Sequence, residues 1–315
     1  MIVQNFSIPY LQDRTLLLQE ALRPNFKKYS ITEEYPIVLD PNKNQYSLCV
    51  IEKDTKLSSS KSTLLGHANI WPRQLIHSKG NKRHNVILIG NVATKKKYRG
   101  TGVMKFLFSH IWSYAVTHKI EALLLWSDLP QIYNKLGFTP CAKELHLYFS
   151  KEKLDLLPSA THEFQAVTSE SINSTIWHEL LNIRYKTEAT IGRTANELQT
   201  LLKIPDTVLL VKKRNNRILS YCIVGKGNDF AGFVHEWGGF KPSCVLEALK
   251  QIATITAWPI IGLLAPATLE NHWLDAFSPH LERREFHDMV WVRAQETSTV
   301  PKTLQNGIIW GLDSI

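Results

Sequence analysis

Residues 87–104 read ILIGNVATKKKYRGTGVM, and the rest of the chain is organised around them. The apolar run 86–89 predicts a strand. A small, irregular step follows (Gly90, Asn91, Val92, Ala93, Thr94), then a cationic loop of Lys95, Lys96, Lys97, Tyr98 and Arg99. Gly100-Thr101-Gly102 then opens a patterned helix at Val103. A helix start carries free backbone N–H groups and the positive end of the helix dipole, and glycines there let a polyanion approach the backbone. Successive N–H groups of such a turn form a nest for phosphate oxygens, to which the lysines and the arginine add charge. The stretch therefore predicts a phosphate cradle.

Two common phosphate signatures do not fit. Gly100-x-Gly102 supplies two glycines of a dinucleotide fingerprint, but Lys105 occupies the third position and four cations separate the strand from the first glycine. No Gly-Lys-Ser/Thr closes a P-loop. The stretch instead resembles motif A of the GNAT (Gcn5-related N-acetyltransferase) superfamily, Gln/Arg-x-x-Gly-x-Gly/Ala between a strand and a helix. Lys97-Tyr98-Arg99-Gly100-Thr101-Gly102 matches it with lysine in the first position, and Val92-Ala93-Thr94 is text common before a Tyr-Arg-Gly in these enzymes. Downstream, Tyr133-Asn134-Lys135-Leu136-Gly137-Phe138 resembles the superfamily's Tyr-x-x-x-Gly-Phe landmark. One predicted helix and one predicted strand separate the two landmarks, as in the superfamily, and the match covers roughly residues 60–150. Ser127 stands where many relatives carry asparagine, and Pro130 where they carry a small helix residue.

Hydrophobic periodicity extends this reading outward. Residues 1–9 alternate as an opening strand, 10–22 read as a helix, and 46–52, 64–71 and 85–93 read as strands, with a polar loop at 54–61. Three successive strands before a helix imply an antiparallel meander. In the helix after the cradle, Val103, Leu107, Ile111 and Ala115 form one apolar row and Met104, Phe108, Trp112 and Val116 a second, with Lys105, Ser109, Ser113 and Thr117 facing away. A buried strand at 122–126 follows.

In the second half, 175–185 is amphipathic and Thr194-x-x-Glu197 is a capping box. Strands at 207–212 and 218–224 flank Asn215-Asn216, a hairpin signal. Residues 232–237, 260–265 and 286–293 read as strands, and 245–255 and 268–277 as helices. This order repeats the first half, so we expect an α/β (α+β, mixed-sheet) protein of two tandem GNAT-like acyl-CoA N-acyltransferase units. Residues 1–150 would hold the acetyl-CoA site, and 151–315 would be a second unit lacking the pyrophosphate loop. Gly238-Gly239-Phe240-Lys241-Pro242 contains no Arg-x-x-Gly-x-Gly. The Val-Ala-Thr and Tyr-Arg-Gly text is also similar to acetyltransferases of the enhanced-intracellular-survival type, from which only the tandem layout is carried over.

Composition narrows the alternatives. A net charge of +9 invites a nucleic-acid reading, but the basic residues are dispersed, so a solvated basic surface with a local anion site is expected, and no nucleic-acid partner. No apolar stretch is long enough to span a bilayer, so no membrane partner is expected. Cys49, Cys141, Cys222 and Cys244 show no metal or disulfide spacing, which reads as a cytoplasmic protein without a metal.

The resemblance implies acetyl-CoA as cosubstrate and direct attack on its thioester by the amine of a small molecule or peptide. It implies that residues 90–94 align the pantetheine, that Lys97, Tyr98, Arg99, Gly100, Thr101, Gly102 and Val103 hold the diphosphate, and that Tyr133 is the general acid. A free phenol pKa near ~10 suits that role. A primary amine of pKa about 10.4 needs a base. The sequence offers Glu236, beside His235 at the end of a second-half strand, against the alternatives of a strand-end ion pair and a satisfied core histidine. Two other readings stand beside this one. A non-catalytic acyl-CoA-binding regulator would keep the cradle without the base, and a dinucleotide oxidoreductase is disfavoured by the cationic loop.

Overall fold

The computed structural model describes residues 1–25, 28–53, 62–77, 82–158, 164–239, 241–256 and 258–314; the predicted polar loop at 54–61 lies outside them. The first half runs β1 (Ile2–Asn5), α1 (Leu11–Leu22), α2 (Ile31–Glu34), β2 (Ser47–Lys53), β3 (Ser62–His77), β4 (Arg83–Thr94), α3 (Val103–Thr117), β5 (Ala122–Trp126), α4 (Pro130–Tyr133) and β6 (Thr139–Ser150). β1 to β4 form the expected antiparallel meander, and β5 returns beside β4 in parallel because α3 carries the chain back across the sheet. The first predicted row of α3 is buried, but of the second only Phe108 is; Val116 is 50% exposed. A single sheet surface covers a narrower stripe of the helix than two full rows. The capping box of Ser30 and Glu33 that starts α2 was not foreseen.

The second half runs α5 (Lys151–Asp155), β7 (Gln165–Val167), α6 (Ser174–Ile183), β8 (Ala189–Ile191), α7 (Ala195–Leu201), β9 (Val208–Arg214), β10 (Arg217–Val224), β11 (Phe233–Gly239), α8 (Pro242–Ile255), β12 (Ile260–Pro266), α9 (Asn271–Phe277), β13 (Leu281–Ala294) and α10 (Val300–Leu304). Thr194 and Glu197 close the predicted capping box, and Asn215 and Asn216 take φ of 51° and 60°, as a two-residue hairpin turn requires. β9, β10 and β11 are antiparallel, and β12 lies parallel to β11 after α8. The meander, helix and parallel strand of the first half thus recur.

The two halves are not separable bodies. The sheet has 13 strands in the order β1-β2-β3-β4-β5-β13-β6-β12-β11-β10-β9-β7, with β8 pairing β3. β13 lies between β5 and β6, and β6 in turn pairs with β12, so each half lends its last strand to the other. After β13 the chain runs back through the interior. Val300, Leu304, Ile309 and Leu312 join one core with Leu18 and Trp71, while Trp310 joins another with Trp237. Among the described residues no helix is long and apolar enough to cross a membrane.

Residues 1–150 made alone would leave β5 and β6 with unpaired inner edges and part of the shared core in water. We expect that fragment to bind a hydrophobic dye and to lack a cooperative melting transition in calorimetry, whereas the full chain melts cooperatively.

Candidate active site

The parallel ladder between β4 and β5 holds four register pairs, from Val86 opposite Ala122 to Ile89 opposite Leu125, and stops there. β4 continues through residues 90–94. On its other side the register with β3 slips between His67 and Asn69, and Asn91 adopts φ 47°. Asparagine is among the few side chains that tolerate this left-handed conformation. The interruption expected at residues 90–92 is therefore a β-bulge, which bends the strand where its parallel neighbour leaves it.

Immediately beyond lies the cationic turn. Lys96–Tyr98 form a 3₁₀ turn closed by the Tyr98 N–H donating to the Lys95 carbonyl at 2.8 Å. Gly100 and Gly102 take φ of 80° and 88°, and Gly102 caps α3 with no side chain over it. The first bond into the helix is Phe106 N–H to the Gly102 carbonyl, 2.9 Å. Among the described residues, the N–H groups of Gly102, Val103, Met104 and Lys105 have no acceptor, and the first turn has no acidic residue. A Cβ on either glycine would find no atom within 4 Å, so the space before the helix is open and backbone conformation alone demands glycine. The predicted residues Lys97, Tyr98, Arg99, Gly100, Thr101, Gly102 and Val103 thus surround one uncompensated helix N-terminus. Thr101 Oγ1 (2.7 Å to the Tyr98 carbonyl) and Arg99 Nε (3.3 Å to the Thr94 carbonyl) stiffen the turn.

Tyr133 ends α4, and Gly137 (φ 81°) turns the chain into β6 as anticipated. The Tyr133 ring packs edge-on against Phe108 of α3 and against Phe138, with centroids 6.0 and 6.1 Å away. Burial, reinforced by the Asp128 charge, pushes its hydroxyl up to about 12. Two side chains of β13 brace this turn from the second half: Trp291 Nε1 donates to the Ser127 carbonyl (2.8 Å) and Arg293 Nη1 to the Leu136 carbonyl (2.9 Å).

Glu236 requires correction. It is fully buried, its oxygens lie 3.3 Å from Arg184 Nε and 3.0 Å from Arg193 Nη2, and Tyr221 donates to it at 3.2 Å. Burial works to raise its pKa, but Arg184 and Arg193 outweigh that and hold the carboxyl below its ordinary range. With Asp313, 2.8 Å from Arg193, these residues form a closed ion quartet rather than a proton acceptor for a substrate. His235 is a core histidine bonded to the Gly225 carbonyl (2.8 Å) and driven down to about 4 by burial. A Cβ on Gly238 would strike the Ile183 carbonyl at 2.3 Å, so this glycine serves close packing on α6.

A pair that sequence reasoning missed stands at the end of β5. Trp126, the first residue past the ladder, donates from its indole to Glu144 Oε1 (3.2 Å), and Glu144 Oε2 lies 3.3 Å from His146 Nε2. Glu-x-His on a strand places both side chains on one face, a signal that alternation could have supplied. Among the described residues no group of three or more His, Cys, Asp or Glu is placed to hold a metal.

Residues 33–141 match the family model for an acetyltransferase (GNAT) domain. A search of curated proteins finds no match. Solved structures share the fold over nearly the whole chain. A probable N-acyltransferase from Enterococcus faecalis superimposes with a TM-score of 0.69 at 12% identity, covering 96% of this chain and 74% of that one. Eis1 from Mycobacterium abscessus gives 0.59 at 11%, covering 93% and 74%. N-myristoyltransferase from Saccharomyces cerevisiae, solved with myristoyl-CoA, gives 0.59 at 14%, covering 93% and 83%. Residues 33–141 are thus a domain of the GNAT acetyltransferase family, and the chain as a whole has the GNAT acyltransferase fold.

Removing one member of a buried ion network leaves its partners uncompensated, so Glu236→Gln is expected to cost about 3–5 kcal/mol at neutral pH. The folded pKa of Glu236 is depressed, so its contribution is complete above the ordinary carboxylate range and is lost as pH falls through the folded value. The stability gap between wild type and variant, measured by urea unfolding from pH 7 to pH 3, should therefore narrow only at the acid end.

Proposed function

We propose that the protein is an N-acetyltransferase that moves the acetyl group of acetyl-CoA to a primary amine on a small molecule or peptide, by direct attack within a ternary complex. The observation that carries this reading is the uncapped, glycine-initiated start of α3, ringed by Lys97 and Arg99, directly after a bulged strand that parts from its parallel neighbour. The exposed N–H groups and cations suit a diphosphate, and residues 90–94 offer extended backbone to a pantetheine arm. The amine nitrogen bonds to the acetyl carbon as the carbon–sulfur bond breaks, and the Tyr133 hydroxyl protonates the departing thiolate. In place of Glu236, we assign the amine's proton to the Glu144–His146 pair beside Trp126. Four unpaired cysteines fit a reducing cytoplasm.

Titration with CoA and with NAD tests the coenzyme, and release of free thiol from acetyl-CoA and from longer acyl-CoAs across an amine panel tests the reaction. Binding of NAD but not CoA would refute the reading. Tyr133→Phe is expected to lower kcat about 10²-fold without weakening coenzyme binding. Because the Tyr133 pKa is raised to about 12, the wild-type rate should not fall from phenol ionisation across the ordinary alkaline range. Gly102→Val, forced into a left-handed backbone, should weaken CoA binding about tenfold.

Glu144→Gln would leave the incoming ammonium without its proton acceptor. Its turnover should be depressed at neutral pH and recover as the pH approaches the amine's own pKa; a deficit independent of pH would remove Glu144 from this role.

A further inference from the structure

The interior behind the bulge holds an arginine without a carboxylate. Arg14 of α1 is fully buried, and among the described residues no acidic side chain lies within ion-pairing distance of it. Its guanidinium lies 3.8 Å over the Phe6 ring, donates from Nη2 to the Leu39 carbonyl (2.8 Å) and from Nη1 to Ser47 Oγ (3.0 Å). Burial drives its pKa down to about 10, outweighing the opposing pull of Cys49 and Asp40, so it is still cationic at neutral pH. An unpaired buried cation is costly, and an apolar side chain could fill the same volume at lower cost.

What the arginine does is anchor a chain of bonds that ends at the bulge. Ser47 Oγ donates onward to the Val38 carbonyl (3.2 Å) and lies 2.9 Å from Asn69 Nδ2, whose two N–H groups are shared among that oxygen and the Val38 and Tyr46 carbonyls at 2.8 Å each. Asn69 Oδ1 accepts from Asn91 Nδ2 at 3.0 Å. The backbone of Asn91 is held from a second direction, its carbonyl 3.0 Å from Nδ1 of the buried His67. Burial drives the His67 pKa down to about 3, so the ring is neutral and the bond to a carbonyl fixes the proton on Nδ1. Asn91 therefore has both its side chain and its carbonyl fixed while it occupies φ 47°.

We propose that Arg14, Ser47 and Asn69 are positioning residues for the thioester: they lock Asn91 in its left-handed conformation so that the backbone of residues 91–93 meets the acyl carbonyl in a fixed, polarising orientation. This rests on the acyl-CoA reading above. Preorganised donors stabilise developing charge because they need no reorganisation during the reaction. The network also ties the bulge to the Val38–Leu39 backbone, so the segment between α2 and β2 is held in the same frame.

The test uses acetyl-CoA labelled with ¹³C at the acetyl carbonyl, bound to the full-length protein and observed by isotope-edited infrared spectroscopy, so no acceptor is needed. In the wild type the bound carbonyl band is expected below that of free acetyl-CoA. In Ser47→Ala and Asn69→Leu the band should move at least halfway back, while CoA, which has no acyl carbonyl, binds as it does to the wild type. Ser47→Thr, which keeps the hydroxyl, should restore the wild-type band. Ser47→Ala removes a single oxygen and serves if Asn69→Leu fails to fold. An unshifted band in the wild type, or equal bands in the wild type and folded Ser47→Ala, would overturn the positioning role and leave acyl-CoA binding standing. Failure of the wild type to bind CoA at all would overturn the underlying reading instead.

Discussion

The opening in the first half lies where β4 gives up β5, as β11 gives up β12 beyond Val234 and Leu263 in the second half. Backbone N–H and C=O groups are obligatory hydrogen-bonding groups, and a strand deep in a 13-stranded sheet ordinarily has partners on both sides. Here the parallel ladder ends at Ile89 and Leu125, while the β3 side keeps its pairing by absorbing a one-residue slip at the bulge. The loss on one side is tolerable only because the other side holds. Leu65 continues that hold by accepting from the Lys95 N–H at 2.9 Å, just before the cationic turn. α3, buried along Val103, Leu107, Ile111 and Ala115, keeps its first turn at the same end of the opening. The bulge, the turn and the helix start are thus consequences of one local failure of pairing.

On the far side of that opening, rigidity comes from the second half of the chain. β5 is a short strand and would be an exposed edge if the first half stood alone. β13 covers it over five register pairs, from Val290 opposite Trp126 to Ala294 opposite Ala122. Alternate residues of the same strand then reach the α4 turn, Trp291 and Arg293 each taking a backbone carbonyl there. The second half supplies the strand that fixes the turn bearing Tyr133. The last strand of the second half is part of the framework of the first, so the two halves are held together by shared pairing.

How far this was legible in the sequence follows from the range of each interaction. The cradle and the Gly137 turn are written in contiguous residues whose backbone needs are local, and the capping box at Thr194 and the Asn215-Asn216 hairpin are equally short-range. The strand exchange could not be read, because β6 and β13 have the same alternation whichever sheet they enter. Glu236 was misassigned for a related reason: a carboxylate at a strand end looks alike whether its neighbours are solvent or two arginines from elsewhere in the chain. The C-terminal residues after 300 show no period at all, yet Trp310 and Leu312 are fully buried. Their apolar character was visible; their destination was not.

The two buried charge systems obey different accounting, and the difference bears on what each is for. In the quartet, Arg184 and Arg193 face Glu236 and Asp313, so charge is balanced inside the cluster and the desolvation cost of each ion is offset by its neighbours. Such a cluster ties α6, β11 and the C-terminal segment together, and nothing need be added to explain it. The hydrogen-bond acceptors of Arg14 are neutral, the Leu39 carbonyl and Ser47 Oγ, and its guanidinium lies over the Phe6 ring. Carbonyl and hydroxyl dipoles offset part of the cost, and Asp40 draws on the cation from beyond ion-pairing distance without pairing with it. A structural pin does not require a cation, since asparagine or glutamine could bridge the Leu39 carbonyl and Ser47 Oγ without one. A site in which negative charge develops on a carbonyl oxygen and then on sulfur does benefit from a fixed cation in a low-dielectric surround. On the acyl-CoA reading proposed above, the unpaired arginine belongs to the electrostatics of the opening rather than to the stability of the core.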